Sequence, residues 1–399
     1  MELMRRYKQT DLGLIPDDWE IRDLGSLVTY TNGKAHEKNI TDSGRFVVVN
    51  SKFISSEGIT RKYSDSCFCP TSKGDVLMVM SDVPNGRAIA KCFRVESDDT
   101  YTVNQRICVL SPMSIDGKLL FYLLDRNPFY LAFDDGAKQT NLRKDEVLSC
   151  PLRIPTSADE QRAIAGALSD VDALIVSLDQ LIAKKRDLKQ AAAQQLLTGK
   201  KRLPRFSEEW KVKRLGDVFS ISAGKSKSAY VKNGARYWVV DMGSVSRDGR
   251  LIVSKGTNYQ GDFLKIGDLV MPKDDIGGGN IIGKVGYIDA DETYVLGDHV
   301  YCLRANVGDP LFLSYVINGH QINNALRKKV IGSAQLGLGR KSVEEQEIPF
   351  PPPSEQTAVA EVLSDMDAEI TALEQRRNKT LHLKQGMMQE LLTGKTRLN

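Results

Sequence analysis

Several stretches of this chain carry residue types that could do chemistry, and none carries a complete set. Asn127-Pro128-Phe129-Tyr130 matches three of the four positions of N-P-P-Y, the loop that holds a target base during amino-group methyl transfer. It lacks the second proline, and no glycine-rich cofactor loop accompanies it, so helix capping or packing is the expected role. Gly278-x(4)-Gly283-Lys284 imitates a phosphate-binding loop, but Val285 stands where a magnesium-binding Ser or Thr is required. Gly277-Gly278-Gly279 therefore reads as a DNA-facing loop or an ordinary turn. Pro16-Asp17 and the distant Asp116-x-Lys118 are fragments of a nuclease pattern of a kind that long chains contain by chance. His36, His299, His320 and His382 show neither metal-ligand spacing nor a nucleophile partner, and satisfied or solvated roles are expected. Cys67, Cys69, Cys92, Cys108, Cys150 and Cys302 include one C-x-C but no second pair, which predicts free structural thiols.

The elements that must carry these residues are organised by a repeat. Glu160–Leu203 aligns without a gap on Glu355–Leu398, with about 24 of about 44 positions identical. A fainter repeat precedes each block: Trp19, Leu24-Gly25 and Gly33-Lys34 match Trp210, Leu215-Gly216 and Gly224-Lys225 at one offset. Gly74–Met78 likewise resembles Gly267–Met271, and Gly136-x-x-Gln139 resembles Gly332-x-x-Gln335. In the strong blocks, Ile164, Leu168, Val171, Ile175, Leu178 and Ile182 form a seam of coiled-coil spacing, as do Val359, Leu363, Met366, Ile370 and Leu373. Ser157 and Glu160 suggest a capping box, Pro351-Pro352-Pro353 precedes the second helix, and Gly199 and Gly394 sit where the helices stop. Neither helix can bury its stripe alone, so the two are expected to pack together. The divergent halves carry short apolar runs, Phe46–Val49, Val76–Met80, Trp238–Val240 and Val300–Leu303, bounded by turn residues, with helical patches near Leu119–Phe133 and Leu311–Lys329.

This order of blocks is similar to that of type I restriction-modification specificity subunits. The motifs that carry the likeness are P-x(4)-E-Q-x-A-x-A-x-x-L-S-D-x-D and L-L-T-G-K-x-R-L, each present twice at matching places. The resemblance, with the duplication, implies a mixed α/β (α+β) fold of two target recognition domains separated by two long antiparallel coiled-coil helices in pseudo-twofold arrangement. The expected boundaries are 1–155 and 204–353 for the recognition domains and 156–203 and 354–399 for the helices. The family's role is to read a bipartite double-stranded DNA target, with each domain taking one half-site. Because the two domains differ, the target should be asymmetric. The helices set the spacing and dock two modification subunits, and restriction (motor-nuclease) subunits join for cleavage. S-adenosylmethionine, ATP and magnesium are expected on those partners, and no catalytic site, metal or cofactor in this chain. A turn inserted just before Thr198-Gly199, where the seam weakens beyond Ile182, should disturb packing least while lengthening the spacer.

Arg and Lys favour guanine edges and phosphates, and Asn and Gln favour adenine. On that ground the candidate DNA contacts are Lys34, Arg45, Asn85, Arg87, Gln105, Arg106, Gln139 and Asn141 in the first domain. In the second they are Lys225, Lys227, Lys273, Asn280, Lys284, Gln335 and Arg340. The formal net charge of +4 gives no broad basic face, so binding is expected to need partners that close around the duplex. That weighs against the alternative, a free-standing DNA-binding regulator, while two unlike globular domains weigh against a scaffold that meets no DNA. The longest apolar runs fall short of the ~20 residues of a bilayer span, and the polar residues after Met1–Arg6 do not form a signal peptide, so a cytoplasmic location is expected.

Overall fold

The computed structural model describes residues 7–83, 87–275, 278–332 and 336–398. Contacts divide the chain into two units. Unit 1 joins Met1–Asp179 to Gln375–Asn399, and unit 2 is the contiguous segment Gln180–Glu374.

In unit 1 an antiparallel four-stranded sheet runs in the order Val28–Asn32, Ile107–Pro112, Val76–Val79, Cys92–Arg94. A three-stranded sheet sets Phe46–Val49 between Tyr101–Val103, parallel to it, and Tyr63–Ser64, antiparallel. Trp19–Asp23 pairs with Pro151–Pro155, and Ser81–Asp82 with Thr140–Asn141. Unit 2 repeats the four-stranded order with Phe219–Ala223, Val300–Ala305, Leu269–Pro272 and Gly286–Tyr287. Its three-stranded sheet sets Tyr237–Val240 between Tyr294–Leu296, again parallel, and Lys255–Thr257. The strands Val76–Val79 and Leu269–Pro272 are buried throughout, as their unbroken apolar runs require of strands covered on both faces.

The two long helices are Ala158–Leu196 and Pro353–Leu391, 39 residues each and about 58 Å long at 1.5 Å per residue. Each gives one half to each unit, and within both units the halves run antiparallel. In unit 1, Lys384 pairs with Asp172 at 2.7 Å and Arg377 with Asp179 at 3.1 Å. In unit 2, Lys185 meets Glu369, Arg186 meets Glu374 and Lys189 meets Asp367, each at 2.6 Å. Ile164, Leu168, Val359 and Leu363 are buried in the cores of their own units. Leu391 joins the core of unit 1, and Leu196 and Leu197 join that of unit 2. The site just before Thr198 is therefore not a lightly packed one: an inserted turn there would displace buried leucines.

The repeated polar residues fasten each helix pair to its own globular part. In unit 1, Glu160 accepts from Trp19 Nε1 at 3.2 Å and is gripped by the Arg397 guanidinium, whose Nη2 lies 2.7 Å from Oε2. In unit 2, Glu355 accepts from Trp210 Nε1 at 2.8 Å and from Arg202 at 2.5 and 2.6 Å. Gln161 and Gln356 likewise accept from the backbone N–H of Asp116 and Asp309, at 2.9 and 2.8 Å. Tyr122 donates to Asp172 and Tyr315 to Asp367, both at 2.8 Å.

Three local expectations change. The capping box at Ser157 is half formed: Ser157 Oγ accepts from Glu160 N at 3.4 Å, but the Glu160 carboxylate is drawn away to Trp19 and Arg397. The two helical patches each split, into Gly117–Leu124 with Pro128–Leu131 and Pro310–Asn318 with His320–Arg327. Pro128 lacks the N–H to continue a helix, and Gly319 caps one helix and opens the next. Asn127 caps the Pro128 turn, accepting from Phe129 N at 2.9 Å, and Tyr130 is buried with its hydroxyl on Val147 O at 3.0 Å. This is the packing role expected of that stretch.

Candidate nucleic-acid interface

The corner where the second inner strand leaves each four-stranded sheet has the same hydrogen-bond frame in both units. In unit 1, Met80 N donates to Arg106 O at 3.0 Å and Leu142 N to Met80 O at 2.8 Å. In unit 2, Lys273 N donates to His299 O at 3.0 Å and Leu338 N to Lys273 O at 2.7 Å. Asp82 folds the loop that follows by accepting from Ala88 N and Ile89 N at 2.6 and 3.1 Å, and Asp275 accepts from Ile281 N at 3.2 Å. A second loop closes on each corner. Gly33 N donates to Ile107 O and Gly224 N to Val300 O, which sets the exposed Lys34 and Lys225 beside the turns at 104–106 and 297–299. A Cβ at Gly33 or Gly224 would collide with the carbonyl of Asn104 or Gly297, so only glycine permits that approach.

The chemistry on this shared frame differs between the units. Unit 1 presents a neutral cluster: Gln139 Nε2 lies 2.8 Å from Ser81 Oγ and 3.2 Å from Asn141 Oδ1, and Ser81 Oγ donates to Asn141 Oδ1 at 2.6 Å. Gln105, Arg106, Gln139, Asn141 and Arg87 are exposed around it, with Gln105 Nε2 on Glu37 at 3.1 Å. Unit 2 presents a charged cluster: Asp274 Oδ2 is shared by His299 Nδ1 at 2.7 Å and Lys273 Nζ at 3.0 Å. Partial burial of Asp274 opposes its ionisation, but the hydrogen bonds from His299 and Lys273 prevail and hold its carboxyl below the usual carboxylate range.

Of the expected contacts, Lys34, Arg87, Gln105, Arg106, Gln139 and Asn141 gather near the corner of unit 1, and Lys225 and Lys273 at that of unit 2. Asn280 is half-buried in the loop after Asp275, and Arg340 is exposed with its Nε on Glu344 at 2.7 Å. Arg45 lies at the start of Phe46–Val49, stacked 5.0 Å from the Phe46 ring, and takes no part in the corner. Asn85, Gln335 and Gly277 lie outside the described residues. Two expectations are corrected. Lys227 is buried, its ammonium 2.8 Å from Asp262 and 3.2 Å from Lys225 O, because it fills the place His36 fills in unit 1 between Lys34 O and Thr102 Oγ1. Lys284 is half-buried and donates to Asn318 O at 2.9 Å; burial lowers the pKa of its ammonium. Both lysines brace loops and neither offers its charge outward.

Sequence reasoning passed over Ser81, Asp274 and His299. The signal was available: carrying the alignment of Gly74–Met78 with Gly267–Met271 forward pairs Asp82 with Asp275 and Arg106 with His299.

Among the described residues no helix is long and apolar enough to cross a membrane, and no group of three His, Cys, Asp or Glu side chains converges as a metal site. The type I restriction modification DNA specificity domain matches the chain twice, over residues 16–185 and 207–383. The chain is 25% identical over 427 aligned positions to the type I restriction enzyme MjaVIII specificity subunit of Methanocaldococcus jannaschii, covering 99% of this chain and 98% of that one. It is 27% identical to a putative type I specificity subunit of Mycoplasma pneumoniae, over 55% of this chain and 57% of the other. Among solved structures, the fold is like that of the S subunit of a type I restriction-modification system from M. genitalium, with a TM-score of 0.65 at 16% identity, covering 98% and 99% of the two chains. Two matches to one domain family, covering most of the chain and coinciding with the internal duplication, place it: this chain belongs to the specificity subunits of type I restriction-modification systems.

Proposed function

We propose that this chain is a non-catalytic DNA reader in which each unit specifies one half of an asymmetric, interrupted duplex target. The observation that carries the reading is the shared corner: one backbone frame, built twice, with an amide and hydroxyl cluster in unit 1 and a Lys-Asp-His cluster in unit 2. Side chains of these two kinds favour different base edges in the major groove. The helices act as spacer and as docking surface for two modification subunits, with restriction subunits joining for cleavage. S-adenosylmethionine, ATP and magnesium belong to those partners. Leu188 and Leu383 occupy equivalent places in the two repeats and are about half exposed, which suits them to contact one modification subunit each.

Replacing residues 1–155 with the corresponding segment of a relative, followed by methylation mapping of the assembled enzyme, tests the reading. One half of the methylated sequence should change and the other persist. A simultaneous change in both halves would refute modular recognition, and methyl transfer by the rigorously purified single chain would refute the non-catalytic role.

A further inference from the structure

We propose that His299, held by Asp274, determines the identity of one base pair in the half-site read by unit 2, and that Arg106 is its counterpart in unit 1; the inference rests on the function proposed above. His299 adopts a left-handed backbone, φ +60°, an uncommon conformation that Asn, Asp and His take more readily than other residues with a Cβ. It ends the three-residue turn between Tyr294–Leu296 and Val300–Ala305, and its carbonyl accepts from Lys273 N. The side chain is 47% exposed, yet its ring is fixed, because Nδ1–H donates to Asp274. Asp274 is itself anchored by Lys273 and by its strand pairing with Gly337. The ring's other nitrogen, Nε2, has the Asp298 carboxylate at 3.9 Å, too far for a hydrogen bond, and is the atom left to meet a base edge. A half-exposed polar ring held in one orientation by a carboxylate is preorganised for whatever meets its free edge. Such positioning suits a ligand contact, as a preorganised contact loses less entropy on binding than a mobile one.

The same place in unit 1 carries Arg106, whose carbonyl accepts the equivalent hydrogen bond from Met80 N. The two units thus present an imidazole and a guanidinium from equivalent turn positions, of which only the His299 position is left-handed. In this reading Asp274 is a positioning residue, since it acts on DNA through His299.

The test uses the complex reconstituted with its own modification subunits and maps methylated sites across genomic DNA. His299→Asn and His299→Gly both tolerate the left-handed backbone and remove the ring. The expected result is relaxation at a single base position of one half-site, with methylation of the disfavoured bases rising about tenfold, the scale of one lost base contact. Asp274→Asn should relax the same position, and Arg106→Ala a position in the other half-site. Unchanged stringency in both His299 variants would overturn the inference while leaving the bipartite reading intact. Uniform loss of methylation at every position in both variants would assign His299 a structural role and also overturn it. If the wild-type complex itself marks no bipartite sequence, the function proposed above is what fails.

Discussion

Glu160 shows how few atoms fasten a helix to its domain. Its carboxylate is buried and takes both the Trp19 indole N–H and the Arg397 guanidinium, which also reaches Asp18 at 2.7 and 2.8 Å. Glu160→Ala leaves the buried Trp19 indole donor without an acceptor and the Arg397 cation with Asp18 alone, a loss of about 1–3 kcal/mol. The expected outcome is a lower unfolding midpoint for unit 1 in urea, with the unit 2 transition unmoved; coincident shifts in both would contradict it. Gly224→Ala should act on recognition as well as on stability. Its Cβ must push the 224–225 loop off the Gly297 carbonyl, moving Lys225 and the His299 turn together. Methylation specificity in the half-site of unit 2 is expected to fall while that of unit 1 holds. Both residues were visible in the sequence as repeat landmarks. Their roles were not, because alignment reveals that Trp19 equals Trp210 but not that a carboxylate far along the chain sits between an indole and a guanidinium.

Paired charges along the helices give the element scale its pH dependence. Burial of Glu374 opposes ionisation, but Arg186 and Arg250 outweigh it and hold the carboxyl below its ordinary value of 4.5. A carboxyl with a depressed folded-state pKa contributes stability that is present above about pH 4.5 and is lost as the pH falls through the lower folded value. The helix pairing of unit 2 should therefore loosen below pH 4.5, and Glu374→Gln should flatten that acid limb in a melting-temperature profile. If the exposed Leu188 and Leu383 dock modification subunits as proposed, Leu188→Asp and Leu383→Asp should each lower the mass of the assembled complex, with the helix content of the free chain unchanged. The seam, the stop glycines and the strand runs were legible because a period of 3.5 residues or an unbroken apolar run is a local property. The two-residue strands Ser81–Asp82 and Asp274–Asp275, which build the corner, carry no such period and are fixed by partners many residues away.

For the whole molecule, the proposed spacer is best lengthened where the helices leave the globular cores, as they do at Leu178, Ile182 and Ile370 while those residues remain buried. Leu196, Leu197 and Leu391 are buried, so the place is the unit boundary, after Asp179 in one helix and before Gln375 in the other. One heptad added to both preserves the seam and adds about 10 Å, or about three base-pair steps. The methylated motif should keep its half-site bases and gain about three unread pairs; an active variant with the original spacer would show that the helices are not the ruler. Division of the chain into a continuous unit and a discontinuous one also bears on the order of events at the ribosome. Residues 180–374 can close their core once Glu374 has emerged. Unit 1 can bury most of its core from residues 15–168, and gains Leu391 and the grip of Arg397 on Glu160 only about 200 residues later, at a loop-closure cost that grows only logarithmically with that separation. The last helix turn of unit 1 is then fastened after unit 2 is complete, although its sheets are made first. In nascent chains stalled after Glu374, the surface around Trp19, Ile164 and Leu168 that awaits Leu391 is what a chaperone should hold, and pulse-proteolysis should cut the 158–179 half of the helix more readily than in the full chain.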